Sequence, residues 1–470
     1  MSRIKKLFSD TLVIALGTFG SKLLVFLLMP LYTALLSTSE YSTAELITST
    51  ANLIIPIACV GIGNGIFRFA AEKNANKEAV FSSGITLLGI GSALFLLLSP
   101  LLLCVEFFDG YVFLIVLYVL FANLQAVCAQ YIRAIDRTRL YAFQGIFNTL
   151  CTILLNLLFL LAWDMGVTGY VLSVILGNLL TTVLLVFAAK LWESFHVSMV
   201  KKRLVKELLF FSLPMVPTTV CWLITDLSDR YMVTYFCGSD INGIYSAAYK
   251  IPTLVILVSN IFMQAWQFSA VAESSDEESC KQFYSRVFQG YLSLILIGSA
   301  GLILLSEFLA GLLLHSNYHG AWEYMPTLLC AAALESIVSF LATVYMVKKK
   351  SMHSFLTAIA GAVLNVVLNL LLIPRMGALG AAIATLAGYG FVMLLRLLDA
   401  PRMIRFRLYL PRLTVSIVLL LISAAFMTFA SSWRLLGTGI AVLLILGINL
   451  WPLWQCLQRL LHFRRKKDPK

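Results

Sequence analysis

The phrase LNLLFLLAWDMGVTG, at Leu155–Gly169, returns as LNLLLIPRMGALG at Leu368–Gly380. Each copy ends one apolar stretch and begins the next. A further glycine follows eight residues after each copy, at Gly177 and Gly388. Self-similarity at one offset, a little over two hundred residues, predicts that the chain is built from two related halves in tandem.

A second, weaker echo joins YSTAELI at Tyr41–Ile47 to YSAAYKI at Tyr245–Ile251. The chain around both echoes is strongly apolar: 60% of its 470 residues are hydrophobic, only 12% are charged, and the mean hydropathy is +0.90. A soluble domain carries about a quarter charged residues. Most of the chain must therefore be solvated by lipid, where a tandem duplication is typical of transporters.

The apolar runs follow one another at helical length, about 20 residues each, and they lack the alternating pattern of a membrane β-barrel. The sequence therefore predicts an all-α integral membrane protein with about fourteen transmembrane helices. The expected centres lie near residues 24, 56, 91, 121, 150, 179, 222, 257, 300, 336, 363, 388, 420 and 447.

The formal net charge of +12 is distributed unevenly along this series of helices. Loops that follow odd-numbered helices hold only Arg375 and Arg434, whereas both termini and the remaining loops hold 29 lysines and arginines. This is a positive-inside bias, which predicts cytoplasmic N- and C-termini in a multi-pass membrane protein. The basic surplus then orients the chain in anionic lipid, and we expect no nucleic acid partner.

The duplication predicts a domain layout. Residues 1–190 form a six-helix lobe, 191–206 a basic cytoplasmic linker, 207–400 a second six-helix lobe, and 401–470 two added helices with a basic tail. A six-helix repeat is even, so the lobes run parallel, related by an axis along the membrane normal. The short loops leave no room for a catalytic domain and carry no phosphate-loop motif. We therefore expect a transporter rather than an enzyme, without cofactor or metal.

Cations inside predicted membrane helices need a specific reason, because each costs about 2.5–3.5 kcal/mol to insert. Lys22, Arg230 and Lys250 enter the bilayer from three different helices, and Arg68 lies at the inner end of helix 2. Together they predict a cationic substrate site that suits a phosphate or pyrophosphate. Structural alternatives are an i–4 ion pair of Arg230 with Asp226, snorkelling of Lys250 and interfacial anchoring by Arg68.

Acidic side chains in the same helices are fewer. Asp226, Asp229 and Glu335 are the candidates for binding a proton or cation that drives transport, while Glu45 and Glu307 lie nearer helix ends. Prolines also interrupt the predicted helices and kink them. Candidate hinges lie in helices 1, 2, 7 and 8, at Pro30, Pro56, Pro214, Pro217 and Pro252; kinks without a gating role are the alternative.

Several of these stretches resemble a known family. SKLLVFLLMPLYTALLSTSEYS at Ser21–Ser42 and GIGNGIFRFA at Gly61–Ala70 are similar to the opening helices of Wzx-type flippases. These form the polysaccharide branch of the multidrug/oligosaccharidyl-lipid/polysaccharide exporter superfamily. SDRYMVTYFCGSDINGIYSAAYKI at Ser228–Ile251 resembles their seventh and eighth helices, and LNLLLIPRMGALGAAIAT at Leu368–Thr385 resembles their eleventh-to-twelfth connection.

The resemblance implies a bacterial cytoplasmic-membrane protein that moves undecaprenyl-pyrophosphate-linked sugar repeat units for capsule, O-antigen or exopolysaccharide assembly. It also implies alternating access around a cationic cavity, with Lys22 and the Asp229–Arg230 pair at the substrate, and glycan polymerase and glycosyltransferases as possible partners. The alternatives are a cation-coupled multidrug exporter, a lipid II-type flippase and a non-transporting scaffold. Lys22 disfavours the drug exporter because a buried cation repels cationic drugs.

Overall fold

The computed structural model describes residues 20, 24, 26–72, 75–104, 110–213, 216–272, 277–348, 350–430 and 432–467. Across these residues the secondary structure is helical, with no strand among them, as the sequence predicts. The chain divides into two compact units, Met1–Tyr231 and Met232–Lys470. The lobe boundaries expected from the duplication stay a prediction.

In the first unit, α5 is the helix around which the others pack: it contacts α2, α3, α4, α6 and α7. Ile62 and Ile66 on α3 and Ile132 on α5 are completely buried, and Leu208 of the amphipathic α8 closes this core. The helices are α1 Met29–Leu35, α2 Thr38–Ala58, α3 Ile62–Ala70, α4 Lys77–Leu98, α5 Val112–Ala134, α6 Thr138–Asn156, α7 Gly166–Ala189, α8 Lys202–Ser212 and α9 Val216–Cys237, which crosses into the second unit.

Local sequence fixes where α2 begins and where it bends. Ser37 and Glu40 form a reciprocal cap, in which the Glu40 amide donates to Ser37 Oγ at 3.2 Å and the Ser37 amide donates to Glu40 Oε2 at 2.9 Å. Such a box satisfies two otherwise unpaired amides. Pro56 lies inside α2, and the left-handed residues Val60 and Gly61 follow it, so α3 leaves at an angle of 51°.

In the second unit, α14 is enclosed by α11, α12, α16 and α17. Its Phe340 ring stacks on Trp266 at 5.2 Å and on Tyr291 at 5.3 Å between ring centroids. The helices are α10 Ser239–Lys250, α11 Pro252–Ala272, α12 Glu277–Leu304, α13 Ser306–Leu313, α14 Met325–Val347, α15 Ser351–Met376, α16 Ala378–Met403, α17 Leu410–Phe429 and α18 Arg434–Lys467.

Among the described residues, 11 helices are long and apolar enough to cross a membrane, or 12 if the bent α2–α3 pair is one span. These correspond to twelve of the fourteen expected centres. The expected span near residue 222 is the helix α9 but is not among the candidates, and the one near residue 24 falls largely outside the described residues. A multi-pass membrane protein is thereby confirmed, while the count of fourteen stays a prediction.

The two copies of the repeated phrase form helical hairpins with matching contacts. In α6–α7, a methyl group at Gly169 would lie 3.1 Å from Phe159 Cβ and 3.3 Å from its carbonyl oxygen. In α15–α16, a methyl group at Gly380 would lie 2.6 Å from the Leu372 carbonyl. Because both glycines lack a side chain, the preceding helix can pack closely against each of them. The parallel six-helix layout is a further step that stays a prediction.

The first copy is two residues longer than the second, and the structure shows where the extra length goes. Its first helix widens into a π-helical turn at Leu157–Ala162 before the chain reverses at Asp164 and Gly166, both with positive φ. In the second copy α15 continues as α-helix to Met376, and Gly377, with φ of +61°, reverses the chain at once. π-Helical geometry is rare and occurs mostly as single turns within α-helices, and here it takes up the additional residues of the first copy.

The proposed hinge prolines fall in different places. Pro56 lies inside α2 close to the bend. Pro30, Pro217 and Pro252 lie in the first turns of α1, α9 and α11, where a missing amide leaves no hydrogen bond unmade. Pro214 lies outside the described residues. A hinge role for any of them stays a prediction.

Candidate functional site

The strongest charge arrangement in the first unit joins α2 to α9. Arg230 Nη1 lies 2.9 Å from Glu45 Oε2 and also donates to Ser49 Oγ, one turn further along α2. The side chain of Glu45 is only 3% exposed and that of Arg230 is 12% exposed. A buried charge is costly unless it is paired and hydrogen-bonded, and both conditions are met here.

Tyrosines enclose the other oxygen of this carboxylate. Tyr170 on α7 donates its hydroxyl to Glu45 Oε1 at 3.2 Å. The Tyr170 ring meets Tyr32 edge-on at 4.9 Å and Tyr41 at 6.4 Å between centroids, and Asn156 Nδ2 donates to Tyr32 Oη at 3.2 Å. We call Glu45, Ser49, Tyr170 and Arg230 the Glu45 cluster. Both Glu45 oxygens are engaged in it, so the carboxylate is held in one orientation.

A second contact joins the same two helices at the residues that follow Ser49 and Arg230. The hydroxyls of Thr50 on α2 and Tyr231 on α9 are 2.8 Å apart. Adjacent residues of α9, Arg230 and Tyr231, thus both make polar contacts with α2, although both helices lie in a strongly apolar chain. Such a junction is specific, because sliding either helix by one residue would leave buried polar groups unpaired.

The structure gives Arg230 a partner that local sequence spacing did not suggest. The expected partner was Asp226, one turn earlier on the same helix, whose side chain lies outside the described residues. Glu45 is 185 residues away in the chain. Asp229 is also buried, with 1% of its surface exposed.

The other described site residues lie on separate helices. Lys22 lies outside the described residues. Lys250 is the last residue of α10 and is half-buried, and Glu335 is partly buried on α14. Arg68 is exposed near the end of α3, and its Nη1 pairs at 2.7 Å with Oε1 of Glu72, two residues beyond that helix. Among the described members of the predicted cationic site, the structure therefore shows a buried, paired Arg230 and an exposed Arg68.

Sequence inspection missed one intramembrane cation in the second unit. Arg396 on α16 is 1% exposed, and it donates to Val338 O at 2.9 Å, Thr357 Oγ1 at 3.1 Å and Ser354 O at 3.2 Å. The guanidinium also lies 5.7 Å from the Tyr345 ring. An arginine inside the apolar run at Ala378–Met403 was the available signal. Its hydrogen bonds fasten α14, α15 and α16 together.

In the described part of the chain, no group of three His, Cys, Asp or Glu side chains is placed so that it could hold a metal ion. What the Glu45 cluster can do is exchange partners: a carboxylate can take up a proton, and a guanidinium can bind a phosphate in place of a carboxylate.

Solved structures of other proteins share the fold of this chain. It superimposes on the lipid II flippase MurJ in an inward closed conformation with a TM-score of 0.71 at 14% identity, over 93% of this chain and 98% of that one. An outward-facing multidrug resistance MATE transporter of the MOP superfamily gives 0.64 at 15% identity, over 84% and 95%. A MOP superfamily transporter from Pyrococcus furiosus gives 0.64 at 14% identity, over 84% and 95%. The fold is that of these membrane transporters.

The sequence itself gives the family. Residues 7–268 match the model of the polysaccharide biosynthesis protein family, and the chain belongs to that family. No curated protein sequence matches it closely enough to count as a relative. The resemblance drawn from the opening helices is therefore confirmed at the level of the family.

Proposed function

We propose that this protein is a flippase that moves undecaprenyl-pyrophosphate-linked oligosaccharide repeat units across the bacterial cytoplasmic membrane. The cargo would serve capsule, O-antigen or exopolysaccharide assembly. The family match over residues 7–268 carries the proposal, because it connects the chain to polysaccharide synthesis. The MurJ-like fold supports it, since that neighbour is a lipid II flippase.

The substrate's pyrophosphate would be bound by Lys22, Arg230 and Lys250, with Arg68 receiving it at the cytoplasmic mouth. Ammonium and guanidinium groups form short, charge-assisted hydrogen bonds with phosphate oxygens, and these bonds strengthen where water is excluded. Alternating access would then expose the same groups first to one leaflet and then to the other.

The Glu45 cluster suggests how binding and release are balanced. In the structure Glu45 already satisfies Arg230, so a pyrophosphate must compete with a carboxylate for the same guanidinium. A carboxylate that loses its buried cation is strongly disfavoured in its charged form. Glu45 would therefore take up a proton as the substrate displaces it and release that proton when the pair re-forms.

A cation-coupled exporter is the second candidate, and one observation favours it: Glu45 is a buried carboxylate of the kind that can bind a proton or a cation. The MATE neighbours share the fold. A lipid II-type cargo is the third reading, since MurJ also shares the fold. The three differ in what they move, so transport itself distinguishes them.

Transport by the purified full-length protein in proteoliposomes tests the proposal. We expect it to move an undecaprenyl-pyrophosphate-linked oligosaccharide between leaflets, and not lipid II or a cationic dye. Lys22→Ala and Arg230→Ala should lose this activity, whereas Lys201→Ala, which removes an exposed linker cation, should keep it. Movement of the dye alone would support the exporter, and full activity in both cavity variants would refute the cationic site.

The same comparison can be made in cells. Loss of the gene should abolish surface glycan while the cytoplasmic lipid-linked precursor accumulates. A scaffold that only holds glycosyltransferases and polymerase together would instead tolerate Lys22→Ala and Arg230→Ala with normal glycan display. Reporter fusions should place both termini in the cytoplasm, as the positive-inside bias predicts.

A further inference from the structure

The segment that joins α16 to α17 carries an alternating pattern that no function described above uses. Ile404, Phe406 and Leu408 are buried, at 5%, 5% and 9% exposure. Arg405 and Arg407 between them are exposed, as is Arg402 at the end of α16. Ile404 has an extended backbone, residues 405–409 are not helical, and exposure alternates from residue 404 to residue 408. We call Arg402, Arg405 and Arg407 the arginine strip.

The arginine strip is held rigidly against α12. The Arg407 amide donates to Ser285 Oγ at 2.8 Å. Phe406 packs against Tyr284 at 5.7 Å and Phe288 at 5.9 Å between ring centroids. A charge carried on a fixed backbone loses less entropy on binding a ligand than one on a mobile loop.

The position of the strip is that of the headgroup layer. It connects two candidate membrane spans, Ala378–Met403 and Leu410–Phe429, so it lies where both leave the apolar layer. Large apolar side chains on both spans next to the strip are exposed, as they are where lipid tails cover a helix: Leu394 57%, Leu398 65%, Leu410 51% and Val415 47%.

The sequence that carries the strip has no acidic residue of its own. From Ala400 to Lys467 the sequence contains no aspartate or glutamate. The acid just before the strip, Asp399, is engaged with His353 at 2.9 Å. Arg412, just beyond the strip, bonds to neutral partners, Asn449 Oδ1 at 2.7 Å and Ser293 Oγ, and no described acid forms an ion pair with it. It adds a fixed positive charge beneath the exposed arginines.

We propose that the arginine strip is a binding site for the headgroup of an anionic phospholipid, which packs its tails against α16 and α17. Three guanidinium groups offer paired donors to one phosphate, and the exposed leucines receive the acyl chains. This site is independent of the cargo proposed above. It would tether the added helix pair α17–α18 to the anionic leaflet.

Native mass spectrometry of the detergent-solubilised full-length protein tests the site, with phosphatidylglycerol as the probe and phosphatidylcholine as the neutral reference. Each juxtamembrane arginine contributes about five-fold to the binding of an anionic surface. We expect R402Q/R405Q/R407Q to weaken the binding of the first phosphatidylglycerol molecule by on the order of 100-fold and to leave the binding of phosphatidylcholine unchanged. Arg412 is retained because its hydrogen bonds are structural.

The matched control is K201Q/K202Q/R203Q, which removes the same charge from exposed positions in the linker and should change phosphatidylglycerol affinity less than two-fold. Equal losses in both triple variants would mean a diffuse charge effect and would overturn the site, as would no loss in the strip variant. If the strip variant loses affinity for undecaprenyl pyrophosphate but binds phosphatidylglycerol as the wild type does, the occupant is not a phospholipid and the proposal is overturned. Thermal unfolding in detergent verifies that both variants are folded.

Discussion

Arg230 in the first unit and Arg396 in the second are both guanidinium groups inside the apolar part of the chain, and their partners differ. Arg230 faces a carboxylate, Glu45, at 2.9 Å. Arg396 donates to neutral oxygens, including the carbonyls of Val338 and Ser354. A carboxylate can change its charge by taking up a proton, whereas a backbone carbonyl cannot. The first arrangement is therefore suited to switching and the second to fastening helices.

The largest loss of stability is expected when Arg230 is removed and Glu45 is left in place. Arg230→Ala leaves the Glu45 carboxylate buried without its cation, which costs about 3–5 kcal/mol. We expect a large drop in the midpoint of thermal unfolding of the purified protein in detergent. The double variant E45Q/R230Q removes both charges together and should recover most of that stability.

The double variant also separates stability from transport. If Arg230 binds the substrate, E45Q/R230Q should be folded and yet unable to move the lipid-linked oligosaccharide. A folded double variant with wild-type transport would assign the Glu45 cluster to packing alone.

Replacing Arg396 tests the other half of the comparison, in which the arginine only holds helices together. Arg396→Leu removes several hydrogen bonds from a charged donor and leaves buried carbonyls unpaired, for a loss of about 2–4 kcal/mol. We expect the unfolding midpoint to fall while transport per folded molecule stays at the wild-type level. Transport lost at a temperature where the variant remains folded would contradict a purely fastening role.

Substituting the hairpin glycines should lower stability less, and by different amounts at the two positions. At Gly380 an added methyl group would meet backbone atoms at 2.6 Å, whereas at Gly169 the closest atom is Met165 Cβ at 2.9 Å. Overpacking of this kind costs about 1–3 kcal/mol, and backbone yields less than a side chain. We expect Gly380→Ala to lower the unfolding midpoint more than Gly169→Ala. Equal shifts would show that the two hairpins relax equally well despite the π turn in the first.

The sequence predicted the features that depend on local pattern. Twelve of the expected span centres coincide with candidate spans, and both copies of the repeated phrase form close hairpins. The echo at Tyr41–Ile47 and Tyr245–Ile251 also marks equivalent burial, since Tyr41 and Tyr245 are both completely enclosed. Periodicity and repetition are sufficient for such features, because each one is decided within a few turns of helix.

Periodicity and repetition could not predict which charged side chains pair with each other. Nothing near Arg230 in the chain points to Glu45, which lies 185 residues away, and the nearby Asp226 is the more obvious partner by spacing. The 51° bend after α2 depends on Val60 and Gly61 in left-handed conformations, and the valine gives no sign of this in the sequence. Long-range packing decides both.

Replacing Arg68 should have the smallest effect on stability, and it tests whether this residue binds substrate or only anchors α3. Its pair with Glu72 is 57% and 53% exposed, and exposed pairs of this spacing contribute less than about 0.5 kcal/mol. Arg68→Gln should therefore leave the unfolding midpoint unchanged, in contrast to Arg230→Ala. If Arg68 only anchors α3 at the interface, transport should also be unchanged. A selective fall in the transport rate at low substrate, restored at saturating substrate, would instead place Arg68 where the pyrophosphate first binds.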